Sequence, residues 1–90
     1  MAWRVEVSEV AVRQLEKLDT QHARRMVKYL FERIARLEDP RSIGEALHGS
    51  KLGEFWKYRV GDYRIVARIE DNMLRVLVVK VGHRREVYDR

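Results

Sequence analysis

The C-terminal half contains three strand-like runs separated by short polar turns, and this pattern restricts the fold more than any other feature. The runs read EFWKYRV, YRIVARIE and MLRVLVVKV, and they are joined by Gly61-Asp62 and Asp71-Asn72. Both connections are two residues long and contain residue types that tight hairpins need. The sequence therefore predicts an antiparallel three-stranded meander.

The N-terminal half predicts one short strand followed by a first helix. WRVEVS alternates apolar and charged residues at period two, as a half-buried strand does. Ser8 stands at an N-cap position before EVAVRQLEKL. The apolar face of this helix is expected to contain Val10, Ala11, Leu15 and Leu18.

A second, longer helix is predicted to begin at Asp19 or Thr20 and to end at Pro40, because the residue before a proline is pushed out of helical geometry. Its apolar positions recur at helical spacing: Ala23, Met26, Val27, Leu30, Ile34 and Leu37. The other face carries Arg24, Arg25, Lys28, Glu32, Arg33 and Arg36. We interpret that charged face as solvated, with contact to RNA as the alternative.

These elements predict one α+β domain over residues 1–90, in the order β-α-α-β-β-β. The sheet is expected to be antiparallel, with both helices on one face and the first strand at its edge. Because there is no cysteine, one core must hold the fold without disulfides or thiolate metal sites. No apolar run is long enough for a signal peptide or membrane helix, so we expect a soluble, cytoplasmic protein.

The charge balance favours a phosphate-bearing partner. The chain has 19 Lys and Arg residues against 14 Asp and Glu, and 14 of the 19 are Arg. Residues 1–50 have a net charge of +1, whereas residues 51–90 have +4. Arginine grips phosphate in two places, so the positive field of the C-terminal half suits a nucleic acid.

Five basic or aromatic residues are candidates for chemistry in this half. Strand alternation sends Lys57 and Arg59 to the open face of the sheet, and Arg64 follows just after the hairpin turn. The end of the third strand brings Arg84 towards Arg64, and Tyr88 can either fold over both or cap the sheet as a buried side chain. Like charges in neighbouring strands weaken pairing, so this cluster indicates an anionic partner.

Other kinds of site are poorly supported. His22, His48 and His83 are scattered and lack carboxylates at metal-ligand spacing, so no metal is expected. The chain offers no plausible serine triad or carboxylate pair, and GSKLG lacks the spacing of a phosphate-binding loop. We therefore expect no cofactor and no small-molecule substrate, and an enzyme of this sequence must work with Lys, Arg and Tyr.

The stretch LHGSKLGEFWKYRVGDYRIV and the ending VVKVGHRREVY resemble the RelE/ParE toxin superfamily, in particular its RelE branch. The resemblance covers nearly the whole chain. It implies a toxin of a type II toxin-antitoxin system that cleaves mRNA in the ribosomal decoding site. In that chemistry the ribose 2′-hydroxyl attacks the adjacent phosphate, and basic residues with a tyrosine replace the usual pair of histidines.

The resemblance also implies roles for individual residues. The catalytic set is Lys57, Arg59, Arg64, Arg84 and Tyr88, and RNA binding adds Lys51 and Arg85 to Lys57, Arg59 and Arg64. Tyr88 is the expected general base and Arg84 the leaving-group stabiliser or acid, with His83 as the alternative acid. Arg59 stands where lysine is common, and the interval from Arg84 to Tyr88 is shorter than in some relatives.

The implied partners are a cognate antitoxin, the ribosome and mRNA. The antitoxin is expected to be acidic, and contact with operator DNA is expected only through the antitoxin complex. No membrane partner is expected. Two alternatives share the fold: a ParE-like gyrase inhibitor, and a catalytically inactive relative that only binds its antitoxin.

Overall fold

The strands and helices follow the order predicted from the sequence. The computed structural model describes residues 3–47 and 55–83 of the chain. Its helices and strands are β1 (Arg4–Val7), α1 (Glu9–Glu16), α2 (Thr20–Glu32), β2 (Glu45–Ala46), β3 (Phe55–Val60), β4 (Tyr63–Glu70) and β5 (Arg75–His83). The β-α-α-β-β-β order is confirmed, and the two-residue strand β2 adds to it. Neither helix in the described residues is both long and apolar enough to cross a membrane.

The strands form one sheet in the order β1-β5-β4-β3-β2. Strands β3, β4 and β5 pair antiparallel as predicted, and β2 pairs antiparallel with β3. Strand β1 lies at the edge, also as predicted, but it pairs in parallel with β5. Strand β1 is followed by the two helices and not by a hairpin. A hairpin would require antiparallel pairing, whereas a helical connection also allows the parallel pairing that is observed.

The core lies between the helices and one face of the sheet. Its fully buried side chains include Met26, Leu30, Ile34, Tyr58, Ile65, Val76 and Val78. Two valines predicted to face this core are exposed instead, Val10 by 59% and Val27 by 41%. Each valine is next in sequence to a residue whose side chain is buried, Ala11 or Met26. The two valines therefore lie at the border of the apolar helix face and not at its centre.

The helix boundaries confirm one sequence signal and correct another. Ser8 caps α1, since its Oγ accepts a hydrogen bond of 3.1 Å from the backbone N–H of Ala11. The prediction that α2 runs to Pro40 is wrong, because α2 ends at Glu32 and a short 3₁₀ turn follows. Pro40 instead begins a second 3₁₀ turn, Pro40–Ile43. Proline is favoured at the first position of a helical turn, because a backbone N–H has no partner within the turn there and its absence costs nothing.

The two hairpin connections differ from each other. Gly61-Asp62 joins β3 to β4 as a two-residue turn, and Gly61 has the positive φ of +61° that such turns favour. The predicted two-residue turn at Asp71-Asn72 is wrong, because four residues separate β4 from β5. Asp71–Met73 forms a 3₁₀ turn and Leu74 takes the left-handed conformation, while Arg41 pairs with Asp71 at 2.7 Å.

Candidate functional site

The β3–β4 hairpin places three cations on the face of the sheet opposite the helices. Lys57 and Arg59 alternate with the buried Tyr58 along β3, as predicted. Arg59 is the direct cross-strand partner of Arg64, and Arg64 in turn pairs with Gly82 of β5. Directly opposed residues share a face of the sheet, so the predicted closeness of Arg59 and Arg64 is confirmed.

These three cations have different surroundings. Arg64 is only 5% exposed, and its Nη1 donates hydrogen bonds to the carbonyl oxygens of Gly61 (3.3 Å) and Tyr63 (3.0 Å). Lys57 lies 3.6 Å from a carboxylate oxygen of Glu45, and Arg59 is exposed. The guanidinium of Arg64 is thus held in place by the turn itself, whereas Arg59 is open to a ligand.

The three cations line a pocket of ≈ 200 Å³ that we call the cation pocket; its other lining residues are Ile43, Glu45 and Tyr58. This volume is below the roughly 300–1,000 Å³ of pockets that enclose small organic ligands. Three positive charges face one carboxylate, so the pocket carries a net positive charge. Its size and charge suit a single phosphodiester group of a longer chain.

Tyr58 lines the cation pocket but is a structural residue. Its hydroxyl donates a 2.7 Å hydrogen bond to the carbonyl oxygen of Pro40, and burial raises the pKa of Tyr58 far above its ordinary value. Burial likewise raises the pKa of the nearby Tyr29, against the lowering effect of Arg33. Both shifts disfavour tyrosinate, so neither hydroxyl suits a general base.

His83 lies on the other side of the sheet from the cation pocket. It is the cross-strand partner of Tyr63, and the two rings meet edge-on with centroids 5.7 Å apart. Tyr63 also contacts His22 of α2, with centroids 4.9 Å apart, which places this aromatic group on the helical side. This placement argues against His83 as the acid of the cationic site, and that alternative stays a prediction.

Four of the predicted site residues, Lys51, Arg84, Arg85 and Tyr88, lie outside the described residues. The described part of β5 ends with Gly82 opposite Arg64 and His83 opposite Tyr63. Glu45, the carboxylate beside Lys57, was not predicted from the sequence. A long connection separates it from β3, and no local sequence pattern indicates that the two pair. Its only sequence hint was an acidic residue near a predicted cationic strand.

Comparisons with known proteins agree with one another. A family model described as the ParE toxin of type II toxin-antitoxin systems, parDE, matches residues 5–88. Toxin RelG of Mycobacterium tuberculosis (strain ATCC 25618 / H37Rv) is 31% identical over 90 residues, covering 100% of each chain. The solved toxin-antitoxin complex RelBE2 from M. tuberculosis has a TM-score of 0.83 at 28% identity, covering 92% of each chain. A mutant of E. coli toxin RelE in the free state has a TM-score of 0.76 at 28% identity, covering 98% of this chain and 92% of its own.

Proposed function

The chain belongs to the ParE toxin family of type II toxin-antitoxin systems, and from that premise we propose that it is a ribosome-dependent endoribonuclease of the RelE type. The observation that carries this proposal is the cation pocket, in which Lys57, Arg59 and Arg64 lie together on one rigid hairpin. A pocket of this kind suits phosphate chemistry better than recognition of a protein surface.

The cation pocket has the electrostatics that RNA cleavage needs. When a 2′-oxygen attacks the adjacent phosphorus, the phosphate gains a second negative charge in the transition state. Fixed cations aimed at that charge stabilise the transition state more than the bound substrate. Arg64, held by two backbone carbonyls, needs little reorganisation to do this, and Arg59 is exposed enough to meet the incoming phosphate.

The proposed reaction has one covalent step. The ribose 2′-oxygen forms a bond to phosphorus, the bond from phosphorus to the 5′-oxygen breaks, and the products are a 2′,3′-cyclic phosphate and a free 5′-hydroxyl. Tyr88, as the tyrosinate, takes the proton of the 2′-hydroxyl. Arg84 stabilises the leaving 5′-oxygen, which takes its proton from water. Lys57, Arg59 and Arg64 hold the phosphate and offset its developing charge.

We further propose that an acidic antitoxin silences the toxin by covering this basic surface, and that the toxin acts in the cytoplasm, where ribosomes are. The net charge of +5 favours such a partner. The similar RelBE2 structure is itself a complex of a toxin with its antitoxin.

Primer extension on a translated message tests the nuclease. We expect new 5′ ends within ribosome-bound message. Arg84→Ala and Tyr88→Phe should each reduce single-turnover cleavage by about 100- to 10,000-fold, as general acid–base residues do. Arg24→Gln serves as the matched control, because Arg24 is an exposed arginine of α2 that is not among the residues lining the cation pocket. Wild-type cleavage rates in both site variants would contradict the assignment.

Inhibition of DNA gyrase is the second candidate function, favoured by the ParE description of the matching family. The two functions make opposite predictions in a supercoiling assay. A protein that leaves ribosome-bound message uncut and blocks supercoiling by gyrase would refute the nuclease proposal and establish the alternative.

A further inference from the structure

A second basic concavity lies beside the cation pocket, between α2 and the β3–β4 turn. This α2–hairpin groove has a volume of ≈ 410 Å³, and its cations are Arg25, Lys28, Arg33 and Arg59. Tyr29 and Val60 also line it, and Glu32 contributes the one carboxylate among its lining residues. The groove therefore combines an apolar floor with a strongly positive rim.

Within residues 3–47 and 55–83, the four groove cations differ from four of the arginines elsewhere in their ion pairing. Arg4, Arg41, Arg68 and Arg75 each form an ion pair with an acidic side chain within 4 Å. Among the residues that the structure describes, no ion pair involves Arg25, Lys28, Arg33 or Arg59. Four exposed like charges beside one concavity repel one another, and an anionic ligand would relieve that repulsion.

The α2–hairpin groove and the cation pocket share one lining residue, Arg59. The hairpin turn joins them as well: the Gly61 carbonyl accepts a hydrogen bond from Arg64, while the guanidinium of Arg25 lies against the same glycine. Strand β2 pairs with β3 only at Lys57 and Trp56, so no described strand crosses β3 at Arg59.

We propose that the α2–hairpin groove binds the phosphate backbone of the same RNA strand whose scissile phosphate occupies the cation pocket. The inference rests on the proposed nuclease function and extends its RNA path over the edge of β3 onto α2. Successive phosphates of one strand match a row of cations that starts in a phosphate-sized pocket, and the ring of Tyr29 offers a surface on which a base can stack. An acidic protein segment would explain the charge but not why the groove shares Arg59 with a phosphate-sized pocket.

The test is the salt dependence of binding to a fluorescent 2′-O-methyl RNA of about 12 nucleotides, a length that single-strand sites span. This probe has no 2′-hydroxyl to attack, so binding is measured without cleavage. The groove variant is Lys28→Gln with Arg33→Gln. The matched control is Arg24→Gln with Arg36→Gln, two exposed arginines of the same segment that form no ion pair within the described chain and do not line the groove.

Each lost phosphate contact lowers the slope of log K against log salt by about 0.7 for a single strand. We expect the groove variant to lose about 1.4 from the slope and to bind about 25-fold more weakly at 0.1 M salt, and the control to lose less than half as much from the slope. Equal losses in the two variants would overturn the proposal, since only net charge would then matter. An unchanged RNA slope combined with loss of antitoxin binding would also overturn it and make the groove a protein-docking surface. A groove-dependent slope in a protein that cuts no message would support the groove and refute the nuclease.

Discussion

Replacing Tyr58 by Phe separates a structural tyrosine from a catalytic one. Tyr58 lines the cation pocket, so its position alone would make it a candidate base. However, it is 1% exposed, and its hydroxyl donates to the carbonyl oxygen of Pro40 at 2.7 Å. That bond ties β3 to the Pro40–Ile43 turn, which supplies Ile43 to the pocket wall. We expect Tyr58→Phe to reduce stability and to leave cleavage nearly unchanged.

The magnitude follows from one buried hydrogen bond. Phe leaves the Pro40 carbonyl without this donor, and the loss should cost about 1 to 2 kcal/mol in the free energy of unfolding at pH 8. Burial, reinforced by Tyr29, raises the pKa of Tyr58, so the folded protein keeps the hydroxyl neutral where the unfolded chain ionises it at about pH 10. The stabilisation by Tyr58 is therefore complete below pH 10 and is lost as the pH rises. Between pH 9 and pH 11 wild type should lose about 1.4 kcal/mol that the Phe variant keeps.

Urea denaturation followed by circular dichroism at pH 9 and pH 11 measures this loss of stability. The difference between wild type and Tyr58→Phe should shrink to near zero at pH 11, since all other titrating groups are common to both proteins. Ile65→Val is the control, because Ile65 is the buried cross-strand partner of Tyr58 and contributes no titrating group. Its cost of about 0.5 to 1.5 kcal/mol should be the same at both pH values. A difference for Tyr58→Phe that stays constant with pH, or cleavage reduced 100-fold, would refute this account.

Three further substitutions test the fold and the hairpin. Ser8→Ala removes the cap of α1 and should cost about 1 kcal/mol, which lowers Tm by roughly 4–8 °C, while the exposed Ser42→Ala should leave Tm unchanged in the same melts. Asp71→Asn should cost less than about 1 kcal/mol at pH 7, because the Arg41 pair is at the surface. Since hydrogen bonding to Arg41 lowers the pKa of Asp71, that stabilisation should shrink progressively in denaturation experiments below about pH 4, as falling pH protonates the carboxylate. Arg64→Lys keeps the charge but not the planar fork that meets the Gly61 and Tyr63 carbonyls, so single-turnover cleavage should fall at least about tenfold; an unchanged rate would show that only charge matters there.

Features with a local cause were predictable from the sequence. The cap at Ser8, the tight turn at Gly61-Asp62 and the position of Arg59 on the open face depend on neighbouring residues alone, and all three were predicted correctly. The features that were missed depend on distant contacts. The turn after β4 has four residues instead of two, and its Asp71 accepts a hydrogen bond from Arg41, which lies thirty positions earlier. The parallel pairing of β1 depends on how the helical layer returns the chain.

The candidate site divides in the same way. Arg59 and Arg64 could be placed together from alternation and turn length, because both belong to one hairpin. Glu45 could not be placed beside Lys57, since eleven residues separate them in the sequence.

The proposed mechanism assigns its two tasks to different parts of the chain. Charge stabilisation belongs to a hairpin in the middle of the sheet, where Arg64 is buried and bonded to the turn that it follows. Proton transfer is assigned to Arg84 and Tyr88, which come after the last described residue of β5. Tyr58, which lines the cation pocket, and Tyr29, which lines the α2–hairpin groove, cannot substitute, because burial raises the pKa values of both. A partner that engages only the C-terminal residues would therefore stop proton transfer and leave the phosphate-binding cations in place. A partner that occupies Arg59 would instead block the phosphate itself, because Arg59 is the exposed cation shared by the pocket and the groove.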